Sequence, residues 1–306
     1  MSDKTPDSER RGEAASLAIR PAPGVVQPEL APLLHEPFAS AFATGPEPAA
    51  GPASPAPRLR ERLAARVQRS HQAEAAMVNV RWKRLPTQAL APGVTARTLY
   101  LADDAGPQRR GEPLRVRLLD LAVGQPLDAA MLGEPQALQA TQREWLVMSG
   151  TVLVDGQTLG ERDYHRVPAG APTPVFTALE PARLFLREAR GPADRANASD
   201  QPLTVRDAEA GWPEFAPGIR RRVLWQAQGQ AAMLYHAEPG AMVPHHTHGH
   251  DEECLMVQGE LFLDDLLLQP GDYQLAPQGT GHQITHTDTG VVIYAHGDLD
   301  LQFVGV

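Results

Sequence analysis

The chain contains the same unit twice. "EWLVMSGTVLVDGQTLGERDYHRVPAG" at 144–170 aligns without a gap to "ECLMVQGELFLDDLLLQPGDYQLAPQG" at 253–279. Gly150 falls on Gly259, Asp163-Tyr164 on Asp272-Tyr273, and Pro168-x-Gly170 on Pro277-x-Gly279. Upstream, "LAPGVTARTLYLA" (90–102) and "FAPGIRRRVLWQA" (215–227) share an APG turn followed by an alternating strand. A duplication of this size constrains the fold more than any single motif does. Each copy is a series of short alternating runs, broken by Gly, Pro and Asp at intervals of roughly ten residues. That rhythm belongs to an antiparallel sandwich or small barrel. The expected fold is all-β, with similar domains at 78–189 and 212–306 joined by a polar linker at 190–211.

The chain ahead of the first copy has a different character. Residues 1–57 are rich in Pro and Ala with little periodic pattern, and frequent proline blocks helix continuation, so a disordered leader is expected. Its one apolar patch, "LLHEPFASAF", could dock a partner. A short basic helix is expected at 58–77, where Leu59, Leu63 and Val67 recur at helical spacing and five arginines cover the other faces.

Composition narrows the function. A net charge of -9 over 306 residues offers no broad basic surface for nucleic acid. A single cysteine, Cys254, rules out a disulfide framework and a cysteine-based zinc knuckle. The first residues lack the apolar core of a signal peptide, and no stretch is apolar enough for a membrane span. A cytoplasmic protein with no nucleic-acid or membrane partner is the expectation.

Chemistry concentrates in "HHTHGHDEECLMVQG", residues 245–259. Side chains alternate faces along a strand, so His246 and His248 point the same way. Glu252 can swing to the same interior from the next strand, and His282 would close the site from another. His245 and His250 are near enough to substitute. Glu253 competes with Glu252, although alternation puts it on the opposite face. Several imidazoles and a carboxylate suit a divalent transition metal rather than magnesium or calcium.

Gly240, His246, His248, Glu252 and Gly259, then Gly271, Pro277, Gly279 and His282, have spacings that resemble the two signature motifs of the cupin superfamily. Only the final Asn of the second motif is missing, replaced by His286. The resemblance implies tandem jelly-roll barrels, a bicupin, with His246, His248, Glu252 and His282 as metal ligands. Cys254, His250 and His286 could back up that site, and His296 could orient a ligand. Trp225, Tyr235 and Tyr273 could line a pocket or pack the core. At the matching places the first copy has Arg143 for Glu252 and Thr173 for His282, so it resembles a cupin without a metal site.

The second copy is most similar to the cupin domains of ChrR-like anti-sigma factors. That resemblance implies a metal-bearing sensor with a role in transcription regulation. The family's His-x3-Cys-x2-Cys sigma-binding motif has no counterpart here, because no cysteine precedes Cys254. The rival expectation is a dioxygenase or isomerase acting on a small oxygenated organic molecule. Either needs one divalent transition metal, with zinc first and iron, manganese or nickel as alternatives. A regulatory protein or a small molecule is the expected partner, and pairing through sheet edges would give a homodimer.

Overall fold

The computed structural model describes residues 55–102, 113–133, 141–190 and 201–304. The leader up to residue 54, with its "LLHEPFASAF" patch, lies outside these. A helix runs Pro55–Ala76. It begins at Pro55 rather than at residue 58, since a proline in the first turn forfeits no intrahelical hydrogen bond. Leu59, Leu63 and Val67 are each about half exposed. No described helix is long and apolar enough to cross a membrane.

The rest is built from strands, and the duplication appears in their order. One seven-stranded antiparallel sheet runs Leu203–Val205, Tyr164–Val167, Thr141–Ser149, Ala182–Arg190, Pro113–Leu121, Val94–Leu101 and Gln88–Ala91. The other runs Val78–Val80, Tyr273–Ala276, Glu252–Gly259, Val291–Asp298, Gln230–Ala237, Ile219–Ala227 and Glu214–Ala216. Each faces a four-stranded sheet: Pro126–Leu127, Phe176–Ala178, Val152–Val154 and Gln157–Leu159 in the first barrel, and Met242–Val243, Thr285–His286, Leu261–Leu263 and Leu266–Leu268 in the second.

The edge strands change the division read from the sequence. Val78–Val80 starts the first copy in the chain but pairs with Tyr273–Ala276 of the second barrel. Leu203–Val205, within the polar segment 190–211, pairs with Tyr164–Val167 of the first. Each large sheet thus ends on a strand taken from the segment that precedes the opposite copy.

Alternation along the strands sorts side chains into three cores. Trp145 and Val147 point into the first barrel, with Phe176 and Leu186. Cys254 and Met256 point into the second, with Leu261 and Ala295. The alternate residues Leu146 and Met148, and Leu255 and Val257, meet in a third apolar layer between the barrels. Each fully buried side chain of that size contributes about 1.5–3 kcal/mol. Gly150 and Gly259 close the paired strands at equivalent points, both at positive φ (78° and 72°). A Cβ there would strike the carbonyl oxygen of Pro181 or Gly290, which is why the two copies share glycine at this point.

A charged cluster is sealed inside the layer between the barrels. Arg187 donates to Glu144 Oε1 at 3.0 Å and to Glu253 Oε1 at 2.7 Å. The hydroxyls of Tyr164 and Tyr294 each donate to Glu144 Oε2 at 2.8 Å, and that of Tyr273 donates to Glu253 Oε2 at 2.9 Å. His296 Nε2 lies 3.7 Å from Glu144 Oε1. Glu144 and Glu253 are equivalent in the duplication, as are Tyr164 and Tyr273, yet one guanidinium serves both carboxylates. Burial alone would raise Glu144, but Arg187, His296 and the two tyrosines hold it at about 2. For Glu253 burial prevails, and its carboxyl is pushed up despite Arg187 and Tyr273. Breaking such a cluster by removing one partner strands an uncompensated charge.

Candidate metal centre

A small third sheet, present in the second barrel, carries two of the histidines. His246–Thr247 pairs with Gly281–His282 on one side and Gln302–Phe303 on the other, placing His246 directly opposite His282. His248 follows two residues after His246, its backbone N–H held by Thr280 O at 2.9 Å. Glu252 begins the next long strand.

The imidazoles are oriented from behind. His246 Nδ1 lies 3.0 Å from Pro244 O. A carbonyl only accepts, so Nδ1 carries the proton and Nε2 presents its lone pair. His248 Nδ1 meets Thr280 Oγ1 at 3.2 Å. His282 Nδ1 lies 3.6 Å from Asp264 Oδ2, longer than a hydrogen bond but close enough to steer the ring. One donor atom each from His246, His248 and Glu252 lie within 4.8 Å of one another, with His248 Nε2 2.9 Å from Glu252 Oε2. His282 stands slightly outside this trio, its ring centre 5.1 Å from that of His248 and 5.6 Å from that of His246.

These residues fit a metal ion. His246, His248 and His282 are 4% exposed or less, and His282 Nε2 is buried without a hydrogen-bond partner. A buried imidazole nitrogen facing other imidazoles is costly unless something accepts its lone pair. Burial would raise the Glu252 carboxyl, but His248, His246 and His282 hold it at about 2, so it is ionised at neutral pH and ready to ligate. Burial lowers His246. His248 is also penalised by burial, yet Glu252 raises it, so an arriving cation competes with a proton at that ring. Three imidazoles and one carboxylate match a divalent transition metal.

Beside the donors lies a cavity of about 70 Å³. His246, Glu252 and His282 form part of its wall, and much of the remainder is aliphatic, including Ile219, Leu261, Leu263 and Ile293. Cys254 lines it as a free thiol, pushed well up by burial, and Tyr235 also lines it. His286 lines it too, stacked on Phe262 with ring centres 4.8 Å apart.

The remaining candidates lie elsewhere. His250 turns to Asp298, with Nδ1 2.5 Å from Oδ1 and its side chain 44% exposed. His245 sits on an exposed edge, 3.3 Å from Gln283 Nε2. Glu253 and His296 face away from the cavity into the cluster between the barrels, where Tyr273 also points. Trp225 packs under the Arg166 guanidinium at 4.5 Å. Asp264 and Thr280 were not legible as supports of the site, since nothing in a turn sequence says which histidine it will reach. The cluster between the barrels did leave a signal, the repeated Glu and Tyr of the gapless alignment.

At the equivalent place the first barrel holds an internal ion pair. Arg143 stands where Glu252 does, with Nε 3.3 Å from Glu188 Oε1, and Nη1 donates to Thr173 Oγ1 at 2.6 Å. Glu188 takes the position of Gly297, where a Cβ would press to 3.2 Å against Glu252. Arg115 and Arg117 also bind Glu188, at 2.6 and 3.2 Å. Trp145, Phe176 and Leu186 occupy the positions of Cys254, Thr285 and Ala295 and fill the space, with Trp145 and Phe176 ring centres 4.4 Å apart.

A family model described as the ChrR cupin-like domain matches residues 200–300. No curated protein matches the chain significantly. Among solved structures, the formate complex of Lactobacillus farciminis oxalate decarboxylase superimposes with a TM-score of 0.54 at 13% identity, over 74% of this chain and 87% of that one. A provisionally assigned dioxygenase of Nostoc punctiforme gives 0.53 at 14% identity, over 76% and 83%. Bacillus subtilis oxalate decarboxylase, studied for its Mn(II) centres, gives 0.50 at 16%, over 72% and 77%. Identities this low establish a shared two-barrel fold.

Proposed function

We propose that the chain is a bicupin of the cupin superfamily whose second barrel is a metal-dependent sensor for a small molecule or oxidant. His246, His248, Glu252 and His282 would hold one divalent transition metal. The observation that carries this reading is the convergence of an ionised carboxylate and three buried imidazoles beside a largely apolar cavity, with His246, Glu252 and His282 on its wall. A bound metal would supply a Lewis-acidic centre for an oxygen-bearing ligand. The protein's own residues bind the cation, exclude bulk water and fix each ring through Pro244, Thr280 and Asp264. The ChrR cupin-like match favours regulation over turnover. So does the single apolar and ionic layer that joins the two barrels, a route by which the second could act on the first. Regulation here would not use a cysteine-based grip on a sigma factor.

One observation favours a second reading, a metal-dependent dioxygenase or isomerase. The cavity reaches the donors directly, so a ligand could enter the coordination sphere. Four protein ligands saturate tetrahedral zinc, whereas six-coordinate iron, manganese or nickel keeps two positions open.

Elemental analysis of protein purified without added metal, followed by oxygen uptake with diketone and phenolic substrates, separates the two. Zinc near one per chain and no turnover is the expected result. Iron, manganese or nickel with oxygen consumption would establish the enzyme instead. His248→Ala should lose the metal, and retention at one per chain would refute the ligand set.

A further inference from the structure

The cavity has a chemical polarity of its own. The metal-ligating groups form one end, and aliphatic side chains form most of the rest. Among the described residues lining it there is no Lys or Arg. Arg221, the guanidinium packed behind this wall, is already engaged: it hydrogen-bonds the hydroxyl of the lining residue Tyr235, donates to the carbonyl of Leu299, and lies 4.5 Å over the Phe215 ring and 3.9 Å from Asp300. The wall's spare hydrogen-bonding capacity consists of Thr285 Oγ1 and His286 Nδ1, both buried without a partner. Burying a second negative charge against such a wall would leave it unpaired, at a cost far above any gain from the pocket. The space is also there by construction. Cys254, Thr285 and Ala295 stand where the first barrel has Trp145, Phe176 and Leu186.

We infer that the second barrel accepts a molecule with one oxygen-rich chelating head and an uncharged apolar body, and rejects dianions of the same length. The inference rests on the metal reading above, because the head needs a cation to chelate. The head lies at His246, Glu252 and His282, and the body extends along Leu261, Leu263 and Ile293. Thr285 and His286 can serve one neutral polar atom of the body.

The test uses full-length protein loaded with Co²⁺, whose visible absorption reports oxygen ligands entering its coordination sphere. The probes are 2-oxo acids of growing chain: glyoxylate, pyruvate, 2-oxobutanoate and 2-oxopentanoate. The dianion 2-oxopentanedioate has the same head and chain length as the last. Affinity should rise about fourfold for each methylene that the wall covers. The dianion should bind at least tenfold more weakly than 2-oxopentanoate. Ala295→Leu, which installs the first barrel's residue and keeps all four ligand residues, should keep the cobalt and flatten the chain-length series. With cobalt bound, a flat series in the unmodified protein, or a dianion that binds as well as the monoanion, would overturn the inference and leave the metal reading intact. Failure to take up cobalt at all would overturn the metal reading itself, and the inference with it.

Discussion

The two barrels share a strand order and differ in what fills them. The first contains Trp145, Phe176 and Leu186, with an arginine-bound carboxylate, Glu188, where a cation would need space. The second keeps Cys254, Thr285 and Ala295 small, and two of its histidines, His246 and His282, sit on an extra three-stranded sheet with no counterpart among the described residues of the first. One barrel satisfies its interior with its own side chains. The other leaves nitrogen lone pairs and space to be satisfied from outside. Arg143 and Glu188 hold in one barrel the opposite charges that a metal and Glu252 would hold in the other, with the carboxylate moved to the neighbouring strand. Substitution at a few facing positions therefore changes a container into a brace while leaving the two larger sheets of the barrel unaltered.

The sharpest way to break this comparison is to hollow the first barrel. Trp145→Ala should cost about 3–5 kcal/mol in denaturant unfolding, because its neighbours can collapse only partly onto the gap. Cys254→Ala at the equivalent point should cost well under half as much, since that side chain already borders open space. Equal losses would mean that the two interiors are packed alike. A smaller effect is expected from Asp264→Asn, which weakens the steering of His282 from behind. Metal affinity should fall about 10–100-fold with the fold intact, measured by competition with a chelator. An unchanged affinity would show that the Asp264 carboxylate does not steer His282.

The smallest effect concerns the layer the barrels share. Burial, then Arg187, lowers His296 from the usual 6.5 to about 3, while Glu144 pulls the other way and His250 adds slightly to the lowering. The unfolded chain therefore takes up the proton first. Stability is greatest above 6.5 and falls as pH drops through 6.5 toward 3. This one ring should account for about 1–2 kcal/mol of the loss between pH 7 and pH 5. The loss should shrink by that amount in His296→Gln, measured by thermal unfolding at both pH values. Identical slopes in the two proteins would show that His296 is protonated where it sits.

Much of this architecture was legible in the sequence because a duplication reports structure twice. Gly150 and Gly259 marked equivalent strand ends, and alternation placed Glu252 and Glu253 on opposite faces, as the structure has them. The spacing of His246, His248, Glu252 and His282 drew attention to residues that the fold does bring near one another. What stayed hidden depends on contacts far apart in the chain. Asp264 reaches His282 across a turn, and Arg187 reaches Glu253 across the layer between the barrels. The pairing of Val78–Val80 with the distant copy could not be read either, since a three-residue alternating strand fits either sheet edge.

That exchanged strand has a consequence for how the protein is made. Asn79 leaves the ribosome 195 residues before Gln274, the residue it will face. At about 5–20 residues per second the strand waits some 10–40 s without its partner. His165 and Thr204 of the first barrel are only 39 residues apart, so that barrel can complete its sheet while the second is still being synthesised. The densely packed copy can then act as a finished template on which the hollow one assembles. A cut ahead of Leu203 would not separate the two cleanly, because each half would carry away a strand belonging to the other.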